Sequence, residues 1–498
     1  MANPHLINFI QGLSPIEIRL VEDHLNKTQA LFDSSNKDGL MEIKLFKYIV
    51  ANKKENISDD MIALETSTKR VSDLKNNLFS KVLESLTLDK YITNTSLFNE
   101  SESTYFVLKK KLLACRISIR SISEGKTEAI DELLNDIIAK AKEFELYEVL
   151  IESLHVKKYF RGIRSGLQAF EKINDDLHFY EYCHKAAVNA NDNYFRLILN
   201  NEFIKTLSVS EADKHLTNSI REMELDYKKT KSEQVNYYLH ILRFALAERK
   251  RDYESAIVNC NKLITILKKH KSIYRNERMG FVYTNLSQYK TFLGKYADAL
   301  KDARKSQSYY LEDSFNLAVA KEQEFYTNFY NEDYKQANVC LNFILNHSSI
   351  DTGEFRKSKF IYYQACVLFA EKNYTGALRL LNESLEIEKD KTRWNISLRI
   401  LNIMIYIEKD KIDEPIAALE SLRKYMERTG KTEEVSERNV MIVKLLRELE
   451  KNGFKYDPKN AGAVKMLKQL SEKNTATSWE HYSSELIKFH QWLEGRPS

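Results

Sequence analysis

Glycine and proline are scarce in this chain, at 13 and 5 of 498 residues, where average usage is about 7% and 5%. Strand-rich proteins need both residues at their turns, so an all-β or mixed fold is disfavoured. The prolines stand at positions 4, 15, 415, 458 and 497, and none interrupts residues 16–414. An interior without helix breakers over that length predicts stacked helices. Long apolar runs are missing too. No stretch reaches the roughly 18 residues a membrane span requires, and Met1 to Leu20 lacks a basic segment followed by an apolar run, which argues against a secretory leader. The five cysteines, Cys115, Cys183, Cys260, Cys340 and Cys366, are odd in number, far apart and never form a Cys-x-x-Cys pair. Reduced thiols buried in helices, and a cytoplasmic protein without membrane partners, are the expectation. Charge of one sign is absent as well: 76 basic residues face 71 acidic ones, a net charge of +5. Such a balance gives no general affinity for nucleic acid or lipid.

What the chain does have is a repeat. Asp252-Tyr253-Glu254-Ser255-Ala256-Ile257, Lys295-Tyr296-Ala297-Asp298-Ala299-Leu300, Asp333-Tyr334-Lys335-Gln336-Ala337 and Asn373-Tyr374-Thr375-Gly376-Ala377-Leu378 share one pattern. Each is a polar turn followed by Tyr-x-x-Ala opening a helix, and successive tyrosines lie 43, 38 and 40 residues apart. A degenerate fifth copy begins at Lys411-Ile412-Asp413-Glu414-Pro415. Two antiparallel helices approach closely only where one offers a small side chain, which explains the alanine. The tyrosine covers the turn with its ring and leaves its hydroxyl wet. Apolar helices precede each turn (Leu239–Leu246, Phe281–Leu293, Phe325–Tyr330, Phe360–Phe369) and follow it, as in Ala299–Tyr309 and Ala377–Leu385. Neither member of a pair can bury its stripe alone, so stacking must build one continuous core.

In these residues the chain resembles the tetratricopeptide repeat family, most closely at Leu293-Gly294-Lys295-Tyr296-Ala297-Asp298-Ala299-Leu300. The period of about 40 exceeds that family's 34. As a whole the chain looks like bacterial tetratricopeptide-type proteins. The resemblance covers roughly residues 232–425. Phe144-Glu145-Leu146-Tyr147-Glu148-Val149-Leu150 and Ser210-Glu211-Ala212-Asp213-Lys214-His215-Leu216 read as decayed copies. The expected fold is therefore all-α: a tetratricopeptide-like α-solenoid over 104–425, a small helical head over 1–92 and a helical C-terminal cap and tail over 426–498.

The resemblance implies that the first helix of each pair lines a concave surface that binds a protein or an extended peptide. Counting back from each turn tyrosine places Tyr238, Arg249, Thr284, Gln288, Glu322, Tyr326, Lys359 and Tyr362 there. The lysine-and-asparagine clamp with which some family members hold chaperone tails is absent, its places taken by Ile241, Ala245, Thr284 and Gln288. At the C-terminus, helices are expected over Glu437–Lys451 and Ala461–Glu472, with a turn at Gly453 closed by Pro458 between them. Trp479, Tyr482, Phe489 and Trp492 are expected to cover the open end of the last repeat or, alternatively, to dock a partner.

In the head, Leu45–Val50 reads as a helix, Ser58 caps a short second one, and Ser67 is expected to cap a third carrying Val71, Leu74, Leu78, Val82 and Leu86. Short helix, turn, long helix suits a helix-turn-helix or winged-helix module. A transcriptional regulator whose head binds DNA through Thr68, Lys69, Arg70, Asn76 and Asn77, with the repeats as a sensor of a peptide or partner, is thus the alternative function. Nine basic and eight acidic residues between Met41 and Lys90 argue against it, since DNA binding needs a clearly basic face.

Enzymatic motifs fail one by one. Gly125-Lys126-Thr127 and Gly430-Lys431-Thr432 lack the glycine a phosphate loop needs five residues earlier, where Arg120 and Tyr425 stand. Helix boundaries, with Thr127 capping a new helix, explain them better. His178, Glu181, Cys183 and His184 do not reproduce a metal-binding His-Glu-x-x-His face. No catalytic residue, metal or cofactor is expected, and the first hypothesis is a non-enzymatic scaffold.

Overall fold

In a computed structural model, described here for residues 5–31, 37–53, 56–95, 97–120, 124–199, 209–348, 354–383, 393–430, 435–473 and 475–496, the chain is all-α. Twenty-four helices and no strand occur among the described residues. The head comprises α1 (Leu6–Gln11), α2 (Pro15–Leu31), α3 (Lys37–Ala51), α4 (Asp59–Thr66), α5 (Val71–Leu86) and α6 (Asp89–Ile92). Next come α7 (Glu100–Ser118), α8 (Glu124–Glu143), α9 (Tyr147–Ser165), the 33-residue α10 (Leu167–Leu199) and α11 (Val209–Thr230). Helix pairs follow: α12 (Glu233–Arg249) with α13 (Tyr253–Lys269), α14 (Asn276–Phe292) with α15 (Tyr296–Gln307), and α16 (Phe315–Tyr330) with α17 (Tyr334–Leu345). They continue as α18 (Glu354–Ala370) with α19 (Tyr374–Glu383) and α20 (Trp394–Glu408) with α21 (Asp413–Thr429). The chain ends in α22 (Glu437–Glu450), α23 (Ala461–Ser471) and α24 (Phe489–Glu494). Two compact units partition it. One holds residues 1–193, 223–236 and 270–273, and the other holds 194–222, 237–269 and 274–498.

The turn inside each pair is one structure repeated. Its central residue is left-handed, at φ 57 in Arg251, 71 in Gly294, 61 in Glu332, 62 in Lys372 and 52 in Asp410. The next amide reaches back five residues: Asp252 to Ala247 (2.9 Å), Lys295 to Lys290 (2.9 Å), Asp333 to Asn328 (2.9 Å), Asn373 to Leu368 (2.8 Å) and Lys411 to Tyr406 (3.1 Å). That bond satisfies a carbonyl the first helix would otherwise leave bare. Only Gly294 takes the left-handed conformation without a steric cost. The polar residue before the tyrosine then caps the second helix, as Asp252 does for the Ser255 amide (3.0 Å), Asp333 for Gln336 (3.1 Å) and Asn373 for Gly376 (3.0 Å).

Ala256, Ala299, Ala337 and Ala377 are all fully buried between helices. The turn tyrosines pack on the helix before them, Tyr334 on Phe329 at 5.5 Å and Tyr374 on Phe369 at 5.4 Å between ring centres. The upstream copy shares the device: Glu145 has φ 50 and the Leu146 amide bonds to Ala141 at 2.8 Å. The second proposed copy instead lies within α11, without such a turn among the described residues. The predicted boundary at Thr127 is also shifted, because α8 already begins at Glu124. Gly430 does stand just beyond α21, whereas Lys431 and Thr432 lie outside the described residues.

The head closes around its own core of Leu6, Ile10, Val21, Leu25, Leu45, Phe46, Ile49, Ile62, Leu74, Leu78 and Val82. Ser58 caps α4 by accepting from the Met61 amide at 3.3 Å. Ser67 does not cap α5, contrary to expectation. It ends α4 in a left-handed conformation (φ 54), and α5 starts four residues later.

Candidate functional site

The face shared by α14, α16 and α18 in the second unit is rich in aromatic rings and in small polar groups. Gln323, 5% exposed, donates through Nε2 to the hydroxyls of Ser287, Thr291 and Thr327, each at 3.2 Å. This fixes the amide and ties α14 to α16. Its remaining oxygen is taken by the hydroxyl of Tyr482.

Tyr482 belongs to the irregular segment between α23 and α24, which runs along this face. Its ring stands edge-on to Tyr326 at 4.1 Å and to Phe292 at 5.1 Å. His481 lies 4.3 Å from Phe292 and reaches Tyr330 at 6.1 Å and Tyr253 at 6.4 Å. Trp479 meets Tyr330 at 5.6 Å, with the Lys488 ammonium 4.3 Å over the indole. Polar contacts continue the line: Glu480 accepts from Arg251 at 2.6 Å, the Ser484 carbonyl accepts from the Tyr362 hydroxyl at 2.8 Å, and the Ser484 hydroxyl meets Ser397 at 2.7 Å. Burial pushes the Tyr326, Tyr362 and Tyr482 hydroxyls well above the usual phenol range. They act as neutral hydrogen-bonding groups. Burial, with Lys488 and Arg251 nearby, lowers His481 to about 4, so its ring is neutral at pH 7.

Both feet of this segment meet at one residue. Arg438, 7% exposed, forks onto the Glu485 carboxylate and donates to the Thr477 carbonyl at 2.6 Å and the Leu470 carbonyl at 2.9 Å. Glu485 in turn accepts the Phe489 amide at 2.8 Å and so roots α24, while its own carbonyl accepts from the Trp479 indole at 2.9 Å. The result is a loop pinned at residues 477 and 485, whose tip is seated among the aromatic rings. The expectation that all four C-terminal aromatics cover the last repeat is corrected in part. Phe489 and Trp492 pack into the terminal core, where the Trp492 indole donates to Glu408 at 2.9 Å. Trp479 and Tyr482 reach the middle of the ladder instead.

Of the eight residues read from the sequence, Tyr326 and Tyr362 touch this loop, but they are 4% and 2% exposed, so they form its bed rather than an open surface. Glu322 and Lys359 pair with each other across adjacent repeats at 2.6 Å. Gln288 donates to Glu248 at 3.3 Å, and Thr284 to the Gly280 carbonyl of its own helix at 3.0 Å. Arg249 pairs with Asp213 at 2.6 Å. Tyr238 is 9% exposed, its ring 5.3 Å from Tyr194.

Sequence reasoning missed Phe292, Gln323, Tyr330 and Ser397. Phe292 and Tyr330 each stand four residues before a turn tyrosine, Tyr326 eight before and Tyr362 twelve before. The signal is one stripe of residues four apart, at positions −4, −8 and −12 from the turn tyrosine.

Elsewhere many charged groups pair with near neighbours. In the head, Lys75 pairs with Asp59 at 2.9 Å, Lys44 with Glu65 at 3.4 Å, Lys90 with Asp23 at 3.8 Å, and Lys81 with Glu42. These carboxylates offset the charge a phosphate backbone would need. His178 bonds Glu181 at 3.1 Å while Cys183 is buried, and no three metal-binding side chains converge among the described residues. All five cysteines are free and buried. No helix among the described residues is long and apolar enough to cross a membrane. Comparison with protein-family models and with curated proteins finds no match. The fold is an all-α array of consecutively packed helix pairs, with a C-terminal loop seated on a bed of aromatic rings.

Proposed function

We propose that the chain is a non-enzymatic scaffold of tetratricopeptide type whose groove over α14, α16 and α18 holds a segment of a protein partner. One observation carries this reading: an irregular stretch of polypeptide, turning at the left-handed Tyr482 (φ 55), already lies there with its side chains seated against rings of successive repeats. Rigid aromatic beds with a few fixed polar groups are the surfaces on which short segments gain most of their binding energy. The buried free thiols support a reducing, cytoplasmic setting.

Selection of displayed peptides on the immobilised full chain tests the proposal. Enriched peptides fitted with a photo-crosslinker should attach to α14, α16 or α18. Crosslinks confined to the head or to the outer helices α13, α15 and α17 would reject it.

A further inference from the structure

The loop 477–485 is built differently from a simple end cap. Its feet are fastened by buried charge and by α24, but its tip is held by ring contacts, the Glu480–Arg251 pair and single hydrogen bonds. The tip can therefore lift while the feet stay in place. Beneath it, Gln323 is oriented by three hydroxyls so that its one spare oxygen faces the groove, where it takes a phenol O–H. The neighbouring Tyr330 hydroxyl is buried, and among the described residues it has no hydrogen-bond partner. The loop thus fills the groove without satisfying all of it, since a buried unpaired hydroxyl leaves binding energy unused.

Building on the proposed groove function, we infer that residues 477–485 are an internal stand-in for the partner. They keep the groove closed until displaced by a peptide that turns as this loop does at Tyr482, presenting a tyrosine to Gln323 and an acceptor to Tyr330. A hydroxyl-reading site of this kind discriminates strongly against the ring without the hydroxyl, because its own polar group is left unpaired. A second copy of the chain offering its own loop would satisfy the same chemistry. Binding that grows with protein concentration and brings dimer formation would reveal that source.

The experiment uses the full chain in two forms, wild type and His481→Ala/Tyr482→Ala. The probe is a fluorescent synthetic peptide of residues 475–488 and its Tyr→Phe counterpart. The opened variant should bind the tyrosine peptide at least tenfold more tightly than wild type, and the phenylalanine peptide roughly ten- to hundredfold more weakly. Equal binding by wild type and variant overturns the closing role while leaving the groove reading intact. Equal binding of the two peptides overturns the Gln323 assignment. No binding by a variant of unchanged helicity overturns both. Hydrogen exchange on wild type covers the case in which the variant fails to fold. Amides of 478–484 should exchange faster than those of 489–494 and faster still with peptide present. Equal protection of both segments rejects a displaceable loop.

Discussion

The helices α7–α10 and the pairs from α12 onward use similar hairpins for different ends. In the first group neighbouring helices are laced by pairs that water reaches, such as Lys111–Asp136 at 2.8 Å, whose side chains are 39% and 45% exposed. In the second the corresponding face carries Phe292, Tyr326, Tyr330 and Tyr362, and the Arg438–Glu485 ion pair is 9% exposed on each side. The turn at Glu145 nonetheless matches those at Arg251, Glu332 and Lys372 in backbone conformation. Turn geometry and small-residue contacts build the hairpin. What its outer residues offer to a ligand is a separate variable.

The comparison breaks most visibly at the two ion pairs. Arg438→Ala strands a buried carboxylate and the carbonyls of Leu470 and Thr477, and we expect a loss of about 3–5 kcal/mol. Lys111→Ala removes a pair open to solvent on both sides, at a cost of about 0–1 kcal/mol. Denaturant melts of both variants check this, and equal losses would refute the contrast.

Acidity should act on the second region through His481 and His490, both lowered to about 4 from 6.5. Burial is the main cause. For His481 the cations Lys488 and Arg251 add to it, and His490 is faced by Lys488 and by Arg438, which reaches its Nδ1 at 3.1 Å. A histidine with a depressed folded value binds its proton more readily when released. Its contribution is therefore complete above about pH 6.5 and is lost as pH falls towards 4, by about 2 kcal/mol per histidine. Trp479 emission followed between pH 7 and 4 should report loosening of the loop. His481→Phe/His490→Gln should flatten that response, and an unchanged profile would count against it.

The smallest effect sharpens the comparison at the shared turn. Lys372→Gly relieves a left-handed residue and should stabilise by about 0.5–1 kcal/mol. Glu145→Gly relieves the same strain but removes a carboxylate that accepts from the Glu233 and Gln234 amides at 2.7 and 3.1 Å and from the Ser232 hydroxyl at 2.8 Å. It should destabilise by about 1 kcal/mol. Thermal melts giving the same sign for both would contradict this account.

Much of the architecture was legible because it rests on short-range rules. Tyr-x-x-Ala at near-even spacing marks where a helix restarts and where its neighbour must come close, and the capping residues Asp252, Asp333 and Asn373 stand beside it in the chain. The eight inner-face residues were less legible. Position relative to a turn tells which helix face a side chain occupies, but not whether that face is open. Glu322 and Lys359 pair with each other, and Arg249 is claimed by Asp213 from α11. The last aromatics misled for a related reason: Trp479 and Tyr482 sit in a stretch without periodicity, so nothing local says where they go.

The sequence by itself determined the helices, their hairpins and the buried alanines, because propensity, capping and close packing act between residues near in the chain or replicated along it. Only the tertiary structure decided that Tyr482 meets Gln323 and that Arg438 joins Thr477 to Glu485. Those contacts span 159, 39 and 47 residues, and they exist only after the stacked pairs have laid their separate faces side by side.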